Sequence, residues 1–295
     1  MKQLLILSGK GGTGKTTVAG ALIKLSQARA YADCDVDAPN LHLSMAQTGE
    51  AERLDFYGMP KAQIDAERCI GCGQCEEHCR FHAIIQKNGT VVDPFSCEGC
   101  GVCEALCPVN AVSVHPAVAV VQMLYRGTQS TFSTARLNMG SGTSGKLVTE
   151  VKKRMLLSLL SETELAIIDG SPGIGCPVIA SMSGVSMVLI VTEPSISGVS
   201  DMERIIRTAE IFRTPLCVCV NKADVNSELT RQIECFCETR QIPFVGTIPY
   251  DPLAVTAINN GKTIVEVDCP SGKAVRQIYT ETLRLLQAQA GGMEA

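Results

Sequence analysis

Short apolar runs alternate with longer amphipathic stretches through most of this 295-residue chain. Leu4-Leu5-Ile6-Leu7 opens the series as a strand, and the segment from Lys15 to about Arg29 follows with helical spacing. Leu165-Ala166-Ile167-Ile168, Met187 to Val191, Leu216 to Val220 and Phe244-Val245-Gly246 are further strands, each bounded by turn or helix-start residues. Apolar strands separated by helical stretches predict an α/β fold, a doubly wound and mostly parallel sheet covered on both faces. Near the end of the chain, Val275, Ile278, Tyr279, Leu283 and Leu286 recur at helical spacing between Gly272 and Ala290. The polar face there is not rich in Lys or Arg, which predicts a docked core helix and not a membrane-surface one.

Between about Lys61 and Val114 the alternation stops, and cysteine, glycine and short polar turns take over. No stretch in that region can supply a core of its own, so it is expected to fold around metal. The predicted organisation is one α/β domain in two parts, residues 1–60 and 117–295, interrupted by an inserted α+β domain over 61–116. A second break, the Gly/Ser/Thr-rich run from Asn138 to Gly145, reads as a mobile loop leading into a helix capped by Ser144.

Hydrophobic residues make up 45% of the chain, ample for a packed core. The formal net charge of -4 gives no general attraction to nucleic acid or to anionic membranes, and no basic cluster suited to DNA stands out. Fifteen cysteines would suggest disulfides in a secreted protein. No basic-then-apolar leader precedes the first strand, so a cytoplasmic, reducing compartment is expected, with thiols available to metal. No apolar run approaches the roughly 20 residues that cross a bilayer.

Candidate chemistry is concentrated in two places. Gly9-Lys10-Gly11-Gly12-Thr13-Gly14-Lys15-Thr16-Thr17 joins the first strand to the first helix. Glycines there let consecutive backbone N–H groups turn inward on phosphates, and the helix N-terminus adds its dipole. Lys15 is expected to bridge the β- and γ-phosphates, with the Thr16 hydroxyl on Mg2+. The second place is a duplicated C-x2-C-x2-C-x3-C run. Cys69, Cys72, Cys75 and Cys79 form the first copy, and Cys97, Cys100, Cys103 and Cys107 repeat it twenty-eight residues later. Three thiolates at such intervals wrap one [4Fe-4S] cluster while the fourth points to its neighbour. The expected ligand sets are therefore Cys69, Cys72, Cys75 with Cys107, and Cys97, Cys100, Cys103 with Cys79. Zinc is the competing metal, but its sites rarely use so tight a run followed by a duplicate. Pro108 follows the last cysteine of the second copy, whereas Arg80 stands at the matching place in the first.

Of the other cysteines, Cys217 and Cys219 alternate on an apolar strand, and Cys235 and Cys237 fall on a helical stretch; all four read as small buried hydrophobes. Cys34 and Cys269 carry no clear signal. His42, His78, His82 and His115 are isolated and are assigned no metal, and Lys152-Lys153-Arg154 reads as a solvated helix face.

The extra lysine after the first glycine, Lys10, resembles the deviant Walker A loop of the MinD/ParA and nitrogenase iron protein superfamily. That resemblance implies an ATP-dependent homodimer in which Lys10 reaches the partner's nucleotide. Asp33-Cys34-Asp35-Val36-Asp37-Ala38-Pro39-Asn40 resembles the family's first switch, which implies that Asp35 orients the attacking water beside Mg2+. Asp169-Gly170-Ser171-Pro172-Gly173 resembles Walker B with the second switch, with Asp169 meeting Mg2+ through water and Gly173 near the γ-phosphate. Phosphoryl transfer needs a metal, a positioned water and neutralised phosphate oxygens, and these residue types can supply them. Asn221-Lys222-Ala223-Asp224 resembles a base-recognition motif in which the asparagine meets adenine, and Pro249-Tyr250-Asp251 is expected to close over the base. Cys176 stands seven residues after Asp169, where the nitrogenase iron protein resemblance places a cysteine that holds a cluster between subunits. The middle of the chain is similar to a bacterial two-cluster ferredoxin. The whole resembles a MinD-type ATPase with an inserted ferredoxin domain.

Three functions follow as expectations. The first is an ATP-driven dimeric switch that passes electrons through two [4Fe-4S] clusters to an unidentified redox partner. The second is an assembly factor that delivers a cluster or metal to a client protein. The third is a positioning or partitioning ATPase. Neither nucleic acid nor membrane is an expected partner, and cobyrinate-type amide synthesis lacks its glutaminase domain here.

Overall fold

A computed structural model describes residues 1–45, 50–138 and 145–289. The predicted loop over Asn138 to Gly145 and the Ser144 cap fall almost wholly outside those residues. The chain divides into two compact units, one from residues 1–52, 123–135 and 144–295 and the other from 53–122 with 136–143.

In chain order, β1 (Lys2–Leu7), α1 (Lys15–Ser26) and β2 (Ala30–Asp33) begin the first unit. There follow β3 (Glu52–Tyr57), β4 (Lys61–Ile64), α2 (Gln74–Glu77), β5 (Ile84–Gln86), β6 (Thr90–Val92), α3 (Val102–Leu106) and β7 (Val112–His115). β8 (Val118–Arg126) and β9 (Thr131–Leu137) lead on to α4 (Gly145–Leu157), β10 (Leu165–Asp169), α5 (Cys176–Met182) and β11 (Met187–Thr192). The chain then runs through α6 (Ile196–Ile211), β12 (Leu216–Asn221), α7 (Ser227–Thr239), β13 (Phe244–Ile248), α8 (Pro252–Asn259) and α9 (Pro270–Ala288).

Within the first unit the sheet order is β13-β12-β11-β1-β10-β2-β9, and each of these neighbouring pairs is parallel. Helices cover both faces of such a sheet, so its central strands are mostly apolar; all six residues of β11 are buried. β2 was not apparent in the sequence, because Ala30-Tyr31-Ala32-Asp33 has little strand propensity of its own. Pairing with β10 on one side and β9 on the other buries all four residues and outweighs that propensity. α1 stops three residues short of the predicted Arg29, because Gln27 turns left-handed at φ 51° and its N–H bonds back to the Ile23 carbonyl.

One core runs beneath α1 and α9, joining Leu4 and Ile6 of β1, Val18 and Leu22 of α1, and Val275, Ile278 and Leu286 of α9. Tyr31 stacks on Phe132 with ring centroids 5.0 Å apart. Burial of each large side chain contributes roughly 1.5–3 kcal/mol, and the docked C-terminal helix is thereby part of the core, as its spacing predicted. The chain crosses from β10 on one side of β1 to β11 on the other, so the loop leaving β1 opens at a switch point of the sheet.

Two surface expectations are corrected. Lys152 is buried, and its Nζ donates to the carbonyls of Ser181 at 2.7 Å and Ser183 at 2.6 Å at the end of α5. Arg154 pairs with Glu52 at 3.2 Å, leaving Lys153 as the exposed member of the trio. Cys235 is exposed while Cys237 is buried, because Thr230, Ile233 and Cys237 share the inward stripe of α7 and residue 235 faces away from it.

The second unit is built from two short antiparallel pairs, β4 with β7 and β5 with β6. Ala62, Ala83, Cys97 and Val112 make its small core, against which Ile64, Val92, Val114, Cys79, Cys103 and Cys107 pack. The duplication in sequence is a duplication in backbone. Gly73 and Gly101 precede the two short helices at φ 76° and 79°, and His82 and Asn110 turn left-handed at 51° and 50°. The copies exchange bonds: Asp65 N–H donates to the Ala111 carbonyl and Asp93 N–H to that of Ala83.

Candidate functional site: a phosphate loop and a cysteine centre

The loop between β1 and α1 lines a cavity of about 580 Å³ that includes Lys10, Gly11, Gly12, Thr13, Gly14, Lys15, Thr16, Thr17 and Asp35. Gly12 and Gly14 hold φ of 81° and 92°, conformations that strain any L side chain. A Cβ on Gly14 would run into the Asn221 amide, and one on Gly9 would overlap Asp201. Gly9 therefore serves close packing against α6 and, unlike its neighbours, does not line the cavity.

Behind the loop, three carboxylates surround one buried ammonium. Lys15 Nζ donates to Asp169 Oδ1 at 2.6 Å and lies 3.7 Å from Asp35 Oδ2. Thr16 Oγ1 donates to Asp169 Oδ2 at 2.6 Å, so Asp169 spans both residues that the sequence assigned to phosphate and Mg2+. Burial works against the charge on Lys15, but Asp169, Asp35 and Asp33 outweigh it and hold its pKa above the ordinary lysine value. Burial also lifts Asp35, reinforced by Asp169 and opposed by Lys15. The two switch segments are tied together: Cys34 N–H donates to the Asp169 carbonyl, and Ser171 Oγ to the Cys34 carbonyl. Gly173, at φ 97°, donates its N–H to the Ser8 carbonyl at 2.9 Å.

Asp33 is a member of this cluster that sequence reasoning did not assign. It is fully buried and accepts from the N–H groups of Asp35 and Leu41, both at 3.0 Å, fixing the segment that carries Asp35. Little in the sequence marked it, since its place at the end of β2, paired in register with Asp169, appears only in the fold. Burial, reinforced by Asp169, pushes its carboxyl up to about 7. A carboxyl that binds its proton more tightly in the folded chain stabilises the fold in acid. That contribution is fully present below about pH 4 and is lost as pH rises through about 7. Urea titrations at pH 5 and 7.5 should show a loss of up to a few kcal/mol for the nucleotide-free protein, diminished in Asp33→Asn. Equal losses in both proteins would remove Asp33 as the source.

On the other side of the loop, Asn221, Pro249, Tyr250 and Asp251 line a cavity of about 270 Å³ together with Val255 and Ile258. Asn221 Nδ2 donates to the Thr13 carbonyl at 2.7 Å, and Asp224 Oδ1 accepts from Tyr250 N–H. Asp251 has a positioning role: its two oxygens accept from Leu253 N–H and Ser271 N–H, joining the starts of α8 and α9. Lys10 is held within its own chain, with Nζ 2.6 Å from Glu193 Oε1 and 3.1 Å from Ser197 Oγ. Glu193 was also missed; its signal was an acidic residue immediately after β11, at the carboxyl edge of the sheet where ligands bind.

In the second unit, Cys69, Cys72 and Cys75 line one small cavity with Cys107, the crossed set expected from the duplicated run. Burial opposes ionisation of Cys107, yet the backbone N–H groups of Ala111, Val109, Val112 and Asn110 outweigh it and hold the thiol below its ordinary value. Backbone N–H groups also point at sulfur from Ala111 to Cys107 at 3.1 Å, from Ala83 to Cys79 at 3.3 Å and from Ala62 to Cys97 at 3.4 Å. Among the described residues, no group of three or more His, Cys, Asp or Glu side chains converges on a point as one ion requires. A cubane bonds each thiolate to a different iron and needs a wider ring than a single zinc does. Cys176, in the first unit, is exposed at the start of α5.

The CobQ/CobB/MinD/ParA nucleotide binding domain matches residues 4–264. Protein MJ0578 of Methanocaldococcus jannaschii is 34% identical over 229 residues, covering 76% of this chain and 79% of its own. The ATP-binding protein MJ0547 of the same organism is 24% identical over 286 residues, covering 95% and 87%. The septum site-determining protein MinD from Pyrococcus horikoshii, solved with Mg-ADP, has the same fold, with a TM-score of 0.58 at 16% identity over 100% of this chain and 98% of that one. A phosphate loop at the sheet's switch point, a lysine after its first glycine and a match over most of the sequence lead to one conclusion: this chain belongs to the CobQ/CobB/MinD/ParA family of nucleotide-binding proteins.

Proposed function

We propose that this protein is a Mg2+-dependent ATPase that acts as a homodimeric switch, coupling nucleotide state to electron transfer through two [4Fe-4S] clusters. The cavity that gathers Cys69, Cys72 and Cys75 with Cys107 carries the reading, because it draws thiols from both sequence copies in a chain that also holds a phosphate loop. Cys97, Cys100, Cys103 and Cys79 are the second ligand set. Clusters held there would supply one-electron carriers, and the N–H groups of Ala111, Ala83 and Ala62 aimed at Cys107, Cys79 and Cys97 would tune their potential.

Nucleotide binding to the loop is supported by the ATP-binding relative and by the Mg-ADP complex of the similar fold. The donors fit Mg2+, which prefers hard oxygens, one or two carboxylates and substrate phosphates over an all-protein cage. Thr16 would hold the ion, with Asp169 behind it and Asp35 orienting water. Lys15 neutralises charge on the phosphates, and Asn221 with Pro249 flanks the base. Lys10 is the residue for the partner's nucleotide. The second reading, delivery of a cluster to a client, is favoured by the exposed thiol of Cys176 close after the Asp169 segment. Likeness to MinD is likeness of fold, and among the described residues no helix is long and apolar enough to cross a membrane.

The test is an anaerobic redox titration followed by electron paramagnetic resonance, without nucleotide, with ADP and with a non-hydrolysable ATP analogue. A nucleotide-dependent shift is expected; about 60 mV per electron corresponds to a tenfold coupling. Potentials fixed in all three states would exclude gated electron transfer and turn attention to release of iron on hydrolysis.

A further inference from the structure

We propose that Glu193 is a built-in competitor of nucleotide phosphate, a carboxylate that occupies Lys10 and Lys222 and must yield them when a phosphorylated ligand enters. This rests on the phosphate-loop reading and adds a residue that lines neither of the two cavities there.

Glu193 follows the last residue of β11 and is mostly buried, with 18% of its side chain exposed. One oxygen lies 2.6 Å from Lys10 Nζ and the other 3.5 Å from Lys222 Nζ. Burial opposes its charge, but the two ammonium groups outweigh it and keep the carboxyl below its ordinary value, so it is an anion at neutral pH. Each lysine has a further anchor: Lys222 Nζ donates to the Gly12 carbonyl of the loop at 3.0 Å, and Lys10 Nζ donates to Ser197 Oγ at 3.1 Å and Ser195 Oγ at 3.4 Å at the start of α6. Lys10 lines the phosphate cavity and Lys222 the base-side cavity, so the two cations border the space a nucleotide would take.

Opposite charges a few ångströms apart in a partly desolvated site attract by several kcal/mol before desolvation is subtracted. A phosphate group brings further negative charge to the same cations. It gains their attraction only by loosening their bonds to Glu193, which lowers its net affinity. The contact thus sets a threshold: weakly charged or dilute anions leave the lysines in place, and a polyphosphate draws them off.

The test compares Mg-ADP binding by calorimetry for the wild-type protein, Glu193→Gln, the Lys10→Gln/Lys222→Gln pair, and all three changes combined. Glu193→Gln is expected to tighten binding by about three- to tenfold, up to about 1.4 kcal/mol. The gain should vanish when both lysines are already neutral, the signature of coupled residues. Glu193→Asp, too short to span both lysines, should give a smaller gain and serves if the glutamine variant folds poorly. Weakened or unchanged affinity in the glutamate variants, or a gain that persists without the lysines, overturns the proposal. Failure of the wild-type protein to bind Mg-ADP would instead overturn the phosphate-loop reading itself.

Discussion

Lys15→Ala is expected to abolish ATP hydrolysis, lowering turnover by at least about 10³-fold. Charge stabilisation at the reacting phosphate is the main catalytic resource in phosphoryl transfer, and one lost donor in a preorganised site costs on that order. Lys15 is 5% exposed and is the nearest cation to Asp169, with Asp35 close by. Its removal leaves those carboxylates facing each other in a buried space, so the variant should also lose stability by roughly 3–5 kcal/mol before proton uptake relieves part of it. Phosphate release, measured beside urea denaturation at a temperature where the variant is folded, separates the two effects. Turnover persisting at the wild-type level would remove the phosphate-loop assignment.

The second large effect concerns iron. Anaerobically prepared protein should contain about eight iron atoms per chain, four for each cubane. Cys75→Ser should reduce this to about four, and Cys107→Ser should remove the same cluster, because the two residues line one cavity although they belong to different sequence copies. The double variant Cys75→Ser/Cys107→Ser should still retain about four iron atoms, whereas Cys75→Ser/Cys79→Ser should retain almost none. If the copies bound separately, the first double variant would lose everything and the second would keep half. Zinc in place of iron would sink the ferredoxin reading outright. Loss of both clusters should also unfold much of the second unit, whose core of four small side chains cannot offset chain entropy alone.

Much of this was legible in the sequence. The phosphate loop depends on glycines a few residues apart, and the cysteine runs on thiols at three-residue intervals, so both are local patterns that a chain carries before it folds. The strands β1, β10, β11 and β12 were visible because a strand buried on both faces carries a near-continuous apolar run, and β13, at the sheet edge, because its short apolar run Phe244-Val245 is bounded by turn residues. β2 was not, since its burial comes from neighbours distant in sequence. Lys152 looked like a solvated charge for a similar reason: the carbonyls that accept its protons end a helix some thirty residues away.

The sequence by itself determined which chemical groups are present and the short spacings of the glycine-rich loop and the two cysteine runs. Only the tertiary structure decided which charges face each other. It set Asp33 beside Asp169 across adjacent strands, gave Lys10 and Lys222 to Glu193, and made Asp251, which lines the base-side cavity, also the acceptor that joins the starts of α8 and α9. The physical reason is one of range. Backbone dihedrals and neighbouring side chains act over a few residues and are written in local order. Ion pairs, pKa shifts and shared cavities depend on distances in space, which exist only once β1, β2, β10 and β11 have been packed side by side.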